Sequence, residues 1–324
     1  MITVLCGGVG GVKLVAGLAA VLPDPSLLSV VVNTADDCVV WGLHVSPDVD
    51  TVLYTLAQCA SHERGWGIEG DTWSALEMLG RYGLPTWFRI GDRDLGTHVA
   101  RTMWLREGRR LTDIVQALGR SLGVPSRVLP MCDERVETIV RVPSGRIPFQ
   151  EYFVARRASD RVLGVEFVGM DRAHVTPEVA DAVCRSALIV VAPSNPVVSI
   201  GPILAVPGMR QALAAARAVR LAVTPLVAGR AIKGPTAEML RGIGVPAEPA
   251  AVAGMYGDFL DVFVLDVQDR ADAAAVAAAG RSGRPVTVAC VDTVMDDDGA
   301  RCRLARDVIR IAAASGAGVP VPLA

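Results

Sequence analysis

The first eleven residues constrain the fold more than any other part of the chain. Ile2 to Cys6 is a short apolar run with no charge, and it ends in Gly7-Gly8-Val9-Gly10-Gly11. Val12 to Leu22 then carries helical periodicity until Pro23 stops it. Strand, glycine-rich turn and helix in this order begin an α/β fold, in which a second strand lies parallel to the first. The valine-rich run Leu27 to Val32 supplies that strand and ends at Asn33-Thr34-Ala35-Asp36-Asp37, and Asp50 to Cys59 reads as the next helix. Half the residues are hydrophobic and few are aromatic, a balance suited to helices packed on an open, mainly parallel sheet.

From about Ser61 to Arg135 the chain turns polar and tryptophan-rich. Helical patterns cover Thr72 to Tyr82, Thr97 to Glu107 and Leu111 to Leu122. Thr138 to Val142 and Gln150 to Val154 read as two strands around a Pro/Gly turn. The α/β alternation returns with strands at Ala187 to Ala192, Leu221 to Thr224, Phe263 to Leu265 and Val286 to Ala289. A core of residues 1–60 plus 171–324, with a largely helical insertion at 61–170 covering one end of the sheet, is the expected organisation.

Bulk properties exclude several classes. A net charge of −2 without a basic run argues against nucleic-acid binding through phosphate neutralisation. No apolar run reaches the roughly 18 residues of a membrane span, and no charged leader precedes Ile2, so a cytoplasmic protein is expected. Seven scattered cysteines without a C-x-x-C pair read as buried, reduced thiols. Arginine supplies nearly all the positive charge; Lys13 and Lys233 are the two lysines.

The glycine run fits neither common phosphate motif. The Walker pattern fails because Leu14, not Ser or Thr, follows Lys13. The dinucleotide pattern starting at Gly8 places Lys13 where its last glycine belongs, and the second strand ends in Asn33 instead of an acidic ribose-binding residue. The run therefore reads as another kind of anion-binding turn, whose glycines admit a phosphate to the backbone. Asp36 and Asp37, with Asp48 and Asp50 beyond them, suit magnesium beside such a turn, although Asp48 and Asp50 also suit helix capping. Gly91 to His98 packs Asp92, Arg93, Asp94, Thr97 and His98 together, and Ser194-Asn195 follows a buried strand. Trp41, Trp66, Trp73 and Trp87 offer flat surfaces for a planar ring, with core packing as the alternative. Together these groups indicate a phosphate-bearing ligand and a metal.

Taken in order, several strings resemble the 2-phospho-L-lactate transferases, including their phosphoenolpyruvate version. They are Gly7 to Gly11, Val31 to Asp37, Ser46 to Tyr54, Gly65 to Ile68, Gly91 to His98, Leu129 to Asp133, Ala192 to Pro196 and Ser199 to Leu204. Gly257 to Asp261 and Asp269 to Asp272 extend the match almost to the end of the chain. The resemblance implies a Rossmann-like core and a magnesium-dependent enzyme of coenzyme F-420 biosynthesis. Such an enzyme moves a phospho-organic acid from a guanosine diphosphate donor to the deazaflavin Fo and releases GMP. It further implies that Asp37 and Asp50 hold the metal with Asp36 in support. Gly7, Gly8, Gly10, Gly11, Lys13, Ser194 and Asn195 would hold the guanylyl end. Trp66, Asp92, Arg93, Asp94, Thr97 and His98 would line the Fo site, in a homodimer. On these assignments Asp37→Ala or Asp50→Ala abolishes turnover and leaves the fold intact.

The competing class is a nucleotide-sugar-binding regulator, which shares the glycine-rich opening and the Ala-Asp-Asp string. Gly65-Trp66-Gly67 together with Gly91 to His98 favours the transferase. An NAD-dependent oxidoreductase is disfavoured by the glycine spacing and by Asn33.

Overall fold

A computed structural model describes residues 1–231, 234–280 and 285–319. Lys233 lies outside the described residues. Seven strands form one all-parallel sheet: β1 Ile2–Cys6, β2 Leu28–Val32, β3 Arg127–Pro130, β4 Leu188–Val191, β5 Val219–Val223, β6 Val262–Asp266 and β7 Thr287–Val291. Their order across the sheet is β3-β2-β1-β4-β5-β6-β7. This is the doubly wound arrangement, with its switch point between β1 and β4, where the connections leave toward opposite sides.

The central strands are buried on both faces because their neighbours cover both. Ile2, Val4 and Cys6 of β1 share one core with Leu28, Val30 and Val32 of β2. That core is closed by α1 (Gly8–Val21), α2 (Pro47–Leu56) and α5 (Leu111–Ser121), with the C-terminal helix Asp298–Ala314 against α1. Leu5, Val31 and Ile189 face the other core, against the helices Pro177–Arg185 and Ile200–Ala205. Gly17 marks the crossing of α1 and the C-terminal helix: a Cβ there would collide with the Arg301 carbonyl oxygen.

The organisation differs from the sequence expectation in three places. β3 lies inside the 61–170 stretch yet pairs with β2, so that stretch supplies an edge of the core sheet. Its covering part consists of the helices α3 (Ser74–Arg81) and α4 (Asp92–Arg106) and a three-stranded antiparallel sheet, joined by the hairpin Cys38–Val40/Leu43–Val45 from the first 60 residues. Glu137–Val142 is the middle strand of this small sheet, between Gly145–Pro148 and Gly164–Val168. Gln150 to Val154 is not a strand: Glu151–Ala155 is a single π-turn that stacks Phe153 on Phe149, ring centroids 5.5 Å apart. Finally, α4 begins at Asp92 rather than Thr97, which makes the 91–98 cluster helical. The cysteines are free, as expected, but only Cys6 and Cys132 are buried; Cys38, Cys59, Cys290 and Cys302 are half-buried and Cys184 is exposed on its helix.

Candidate active site

The switch point opens into a cavity of about 580 Å³, within the range of small-molecule sites. One wall is the first turn of α1, through Gly8, Val9 and Gly10, together with Ser194, Asn195 and Ser199 from the connection after β4. Aromatic residues of the covering segment, Trp66, Trp87, Phe88, Phe149 and Phe153, line another part. Asp36, Asp48, Asp50, Asp94 and His98 also face it.

The glycine turn is shaped as much by its protein neighbours as by a ligand. A Cβ on Gly7 would lie 2.8 Å from Asp48 Oδ2 and from Ser199 Cβ, and one on Gly10 would lie 2.8 Å from the Pro193 carbonyl oxygen. A Cβ on Gly11 would overlap Ser194 Oγ, and Gly11 does not line the cavity. Gly8 has the conformational reason, with φ at +65°. The Gly8 N–H donates to Asp48 Oδ1 at 2.8 Å, and the Gly7 N–H donates to Ser194 Oγ at 3.2 Å. The next two amides of the helix start have no intrahelical acceptor and remain suited to an anion.

Asn33 explains why no acidic residue ends β2. Its Nδ2 donates to Asp48 Oδ2 at 3.0 Å, and its Oδ1 accepts the Ala35 N–H at 3.0 Å, so the side chain aims Asp48 at the helix start. Burial pushes the Asp48 carboxyl up to about 6, opposed by the bonds from Asn33 and Gly8. Burial, reinforced by the Asp48 charge, raises Asp36 well above the ordinary carboxylate range. Among the described residues, one buried oxygen of Asp36 and one of Asp37 have no hydrogen-bond partner. The other Asp37 oxygen is held by His44 Nε2 at 2.9 Å and accepts from Ser46 Oγ at 2.6 Å; Asp37 does not line the cavity.

A raised carboxyl pKa has a definite sign in stability. Between about pH 4 and 6 the folded chain binds more protons at Asp48 than the unfolded chain does. The stabilising contribution is complete below that window and lost as pH rises through about 6. In metal-free denaturant titrations, wild type is therefore expected to lose on the order of 2–3 kcal/mol relative to Asp48→Asn between acid and neutral pH. A difference that stays flat across this range would contradict the burial of an ionisable Asp48.

The second cluster is built by α2 and α4. Asp94, His98 and Arg101 stand at i, i+4 and i+7 on one face of α4. Arg101, 0 % exposed, pairs through both terminal nitrogens with Asp50 of α2. Its Nη1 also lies 3.3 Å from His98 Nδ1, while His98 Nε2 lies 3.2 Å from Asp94 Oδ1. The Tyr54 hydroxyl donates to Asp94 at 2.8 Å and lies 2.8 Å from Thr97 Oγ1. Burial works to raise Asp94, but His98, Tyr54 and Arg101 outweigh it and hold the carboxyl below its usual range. Asp50, Asp94 and His98 offer ligand atoms within 4.8 Å of one another, enough to hold a metal ion.

Of the other residues singled out in the sequence, Asp92, Arg93, Thr97 and Trp73 stand apart from the cavity, whereas Lys13 and Asn195 line it. Asp92 accepts from the Ser74 and Ala75 amides and so ties down the start of α3. Arg93 is exposed and reaches the Glu69 carbonyl at 3.4 Å. Thr97 serves Tyr54, and Trp73 packs edge-to-face on Trp66, 6.4 Å between centroids. Lys13 lines the cavity and donates to the Met295 carbonyl at 2.7 Å. Asn195 lines it while its Oδ1 accepts the Val197 and Val198 amides. Sequence reading missed Arg101, although the spacing of Asp94, His98 and Arg101 signals one helix face once α4 is started at Asp92.

Solved structures of a UPF0052-family protein from Bacillus halodurans share the fold, with a TM-score of 0.60 over 95% of this chain and 98% of theirs, at 16% identity. Phosphoenolpyruvate transferases are much nearer in sequence. The one from Streptomyces griseus is 43% identical over 261 residues, covering 79% of this chain and 82% of its own. That from Kitasatospora aureofaciens is 41% identical over 261 residues, covering 79% and 81%. That from Mycolicibacterium smegmatis is 40% identical over 271 residues, covering 79% and 83%. The family model "2-phospho-L-lactate transferase CofD" matches residues 2–308. The loops that meet at the switch point and the covering segment above them thus lie within a family-wide match, and the chain belongs to the 2-phospho-L-lactate transferase (CofD) family.

Proposed function

We propose that this chain transfers a phospho-organic-acid group, phosphoenolpyruvate or 2-phospho-L-lactate, from a guanosine diphosphate donor to the deazaflavin Fo, releasing GMP, in coenzyme F-420 biosynthesis. The observation that carries this reading is a single cavity combining three chemistries: helix-start amides, buried carboxylates and aromatic faces. The amides of α1 and the Ser194 turn suit a diphosphate, and Trp66, Phe149 and Phe153 suit a flat ring. The names of the relatives favour the phosphoenolpyruvate form of the donor.

In this reading the Fo hydroxyl oxygen bonds to the phosphorus beside the organic acid. The bond between that phosphorus and the bridging oxygen breaks, and the electron pair leaves with GMP. The chain positions the two substrates and keeps the approach in line, which in phosphoryl transfer contributes more than covalent chemistry. Asp48, whose carboxyl is pushed up to about 6 by burial, is suited to take the hydroxyl proton. The residues fit a divalent ion in that Asp36 and Asp50 carry carboxylates to the cavity and Asp50 stands within ligand distance of Asp94 and His98, while Asp37, off the cavity lining, keeps one unpartnered buried oxygen among the described residues. Magnesium held by Asp37 and Asp50, with Asp36 in support, would neutralise charge developing on the phosphate oxygens. A homodimer is the assembly proposed, on the family resemblance. Among the described residues no helix is long and apolar enough to cross a membrane.

The test is titration of purified protein with Fo, following deazaflavin fluorescence, with GDP and magnesium present. Saturable binding is expected, and Trp66→Ala should weaken it by about tenfold, as loss of a stacking face does. No binding of Fo, alongside tight binding of a nucleotide sugar, would move the chain to the regulator class.

A further inference from the structure

The cluster Asp50, Asp94 and His98 has the spacing of a metal site, yet a cation of the protein already sits in it. Nη1 of Arg101 lies 3.0 Å from Asp50 Oδ2 and 3.3 Å from His98 Nδ1, atoms of two of the three residues in the cluster. An arginine is always protonated, so Nη1 donates in both contacts and His98 Nδ1 must accept. The ring proton then resides on Nε2, facing Asp94 Oδ1 at 3.2 Å. The Nδ1 lone pair is thereby engaged, and Nε2, which carries the ring proton, has no lone pair to offer a metal. The guanidinium is buried completely and held from a third side by the His44 carbonyl, 3.4 Å from Nη1. The cavity-facing carboxylate of Asp50 is therefore already ion-paired before any ligand arrives.

We propose that Arg101 is a resident counter-cation and positioning residue. It fixes Asp50 and His98 in the free protein and lowers the affinity of the acidic cluster for a free divalent ion. The ion is then taken up with a diphosphate-bearing ligand, whose negative charge restores the balance that Arg101 removes. The second step rests on the donor proposed above; the first does not. A fixed positive charge in direct contact with a metal-ligating carboxylate repels a second cation strongly where water is excluded.

The experiment is Mn²⁺ binding, read from the electron paramagnetic resonance of the free ion, with and without GDP, in wild type, Arg101→Met and Arg101→Lys. Wild type is expected to bind Mn²⁺ alone at least tenfold more weakly than in the presence of GDP. Arg101→Met is expected to bind Mn²⁺ alone at least tenfold more tightly than wild type, while Arg101→Lys, which keeps the charge, stays weak. A residue that merely supported the fold would give the opposite sign, because its loss loosens the ligands. Equal or weaker Mn²⁺ binding in a folded Arg101→Met protein overturns the proposal. So does wild type that binds Mn²⁺ alone as tightly as with GDP, a comparison that holds even if Arg101→Met fails to fold. Failure of GDP to bind wild type in calorimetry would remove the donor reading instead, leaving the Arg101→Met comparison to decide the counter-cation role.

Discussion

Asp50→Ala is expected to lose both transfer activity and about 3–5 kcal/mol of folding stability, the cost of leaving a buried charge without its partner. The carboxylate is the bidentate partner of Arg101, and Arg101 is 0 % exposed. Removing it strands a guanidinium among apolar and polar atoms that cannot replace the lost charge; the His44 carbonyl and His98 Nδ1 would be its remaining acceptors. The substitution is therefore not the fold-neutral probe of metal binding that the sequence implied. The diagnostic measurement is a double-mutant cycle in denaturant. Arg101→Met added to Asp50→Ala should recover a large part of the lost stability, because an apolar side chain of similar length replaces the orphan charge. Transfer activity should stay absent in the double variant, since the carboxylate is still missing. If Asp50→Ala unfolds at the wild-type denaturant midpoint, the pair is not the buried ion pair described. If the double variant regains turnover, Asp50 does not hold the metal. Asp37→Ala tests the same assignment with less burden on the fold: its partners are His44, partly exposed, and Ser46, and neither carries an obligatory charge.

The parts of this chain that were legible in its sequence are those where local pattern and tertiary role agree. β1, β2, β4, β6 and the Leu221–Val223 end of β5 are short, mostly apolar runs ending in turn residues, as burial on both faces favours. That the Gly7–Gly11 and Ser194–Ser199 turns share the carboxyl edge followed from each coming after a buried strand, but their meeting depends on β1 and β4 being neighbours, which the structure alone supplies. The failures occur where one residue pattern serves two purposes. Asp92 and Asp94 look like loop acids, yet acids are equally suited to the first turn of a helix, where they oppose the positive end of its dipole. Starting α4 five residues late hid the face that carries Asp94, His98 and Arg101. Tyr152 and Val154 alternate as strand residues do, but Phe149 and Phe153 are also spaced i, i+4, and stacking of those rings goes with the π-turn. The edge strand β3 went unseen within the polar, helical 61–170 stretch: it is four residues long and ends in Pro130, which suits an edge. The roles of the glycines were beyond reach in principle. Whether a Cβ meets Pro193, Ser194 or open space depends on chain that is more than 180 residues away.

That dependence sets up the second large effect, Gly10→Ala. The new methyl group would lie 2.8 Å from the Pro193 carbonyl oxygen, and a backbone atom cannot swing aside as a side chain can. Either the first turn of α1 or the turn after β4 must move, and both form the wall assigned to the diphosphate. Overpacking of this kind costs about 1–3 kcal/mol. A displacement on the order of an ångström at groups that position a reacting phosphate lowers turnover by about 10²-fold. The loss should appear in the donor and in kcat, while binding of Fo, which relies on Trp66 and the Phe149–Phe153 pair, stays near the wild-type value. Gly254→Ala is the control within the same chain. It sits in the helix Pro249–Tyr256 with nothing within 4 Å of its would-be Cβ, so alanine there should stabilise by about 0.5–1 kcal/mol through helix propensity and leave turnover alone. Equal turnover in the two variants would mean that the glycine turn is a packing device and that the diphosphate is held elsewhere. A selective loss in Gly10→Ala would mean that the close approach of two loops at the switch point is what shapes the anion site.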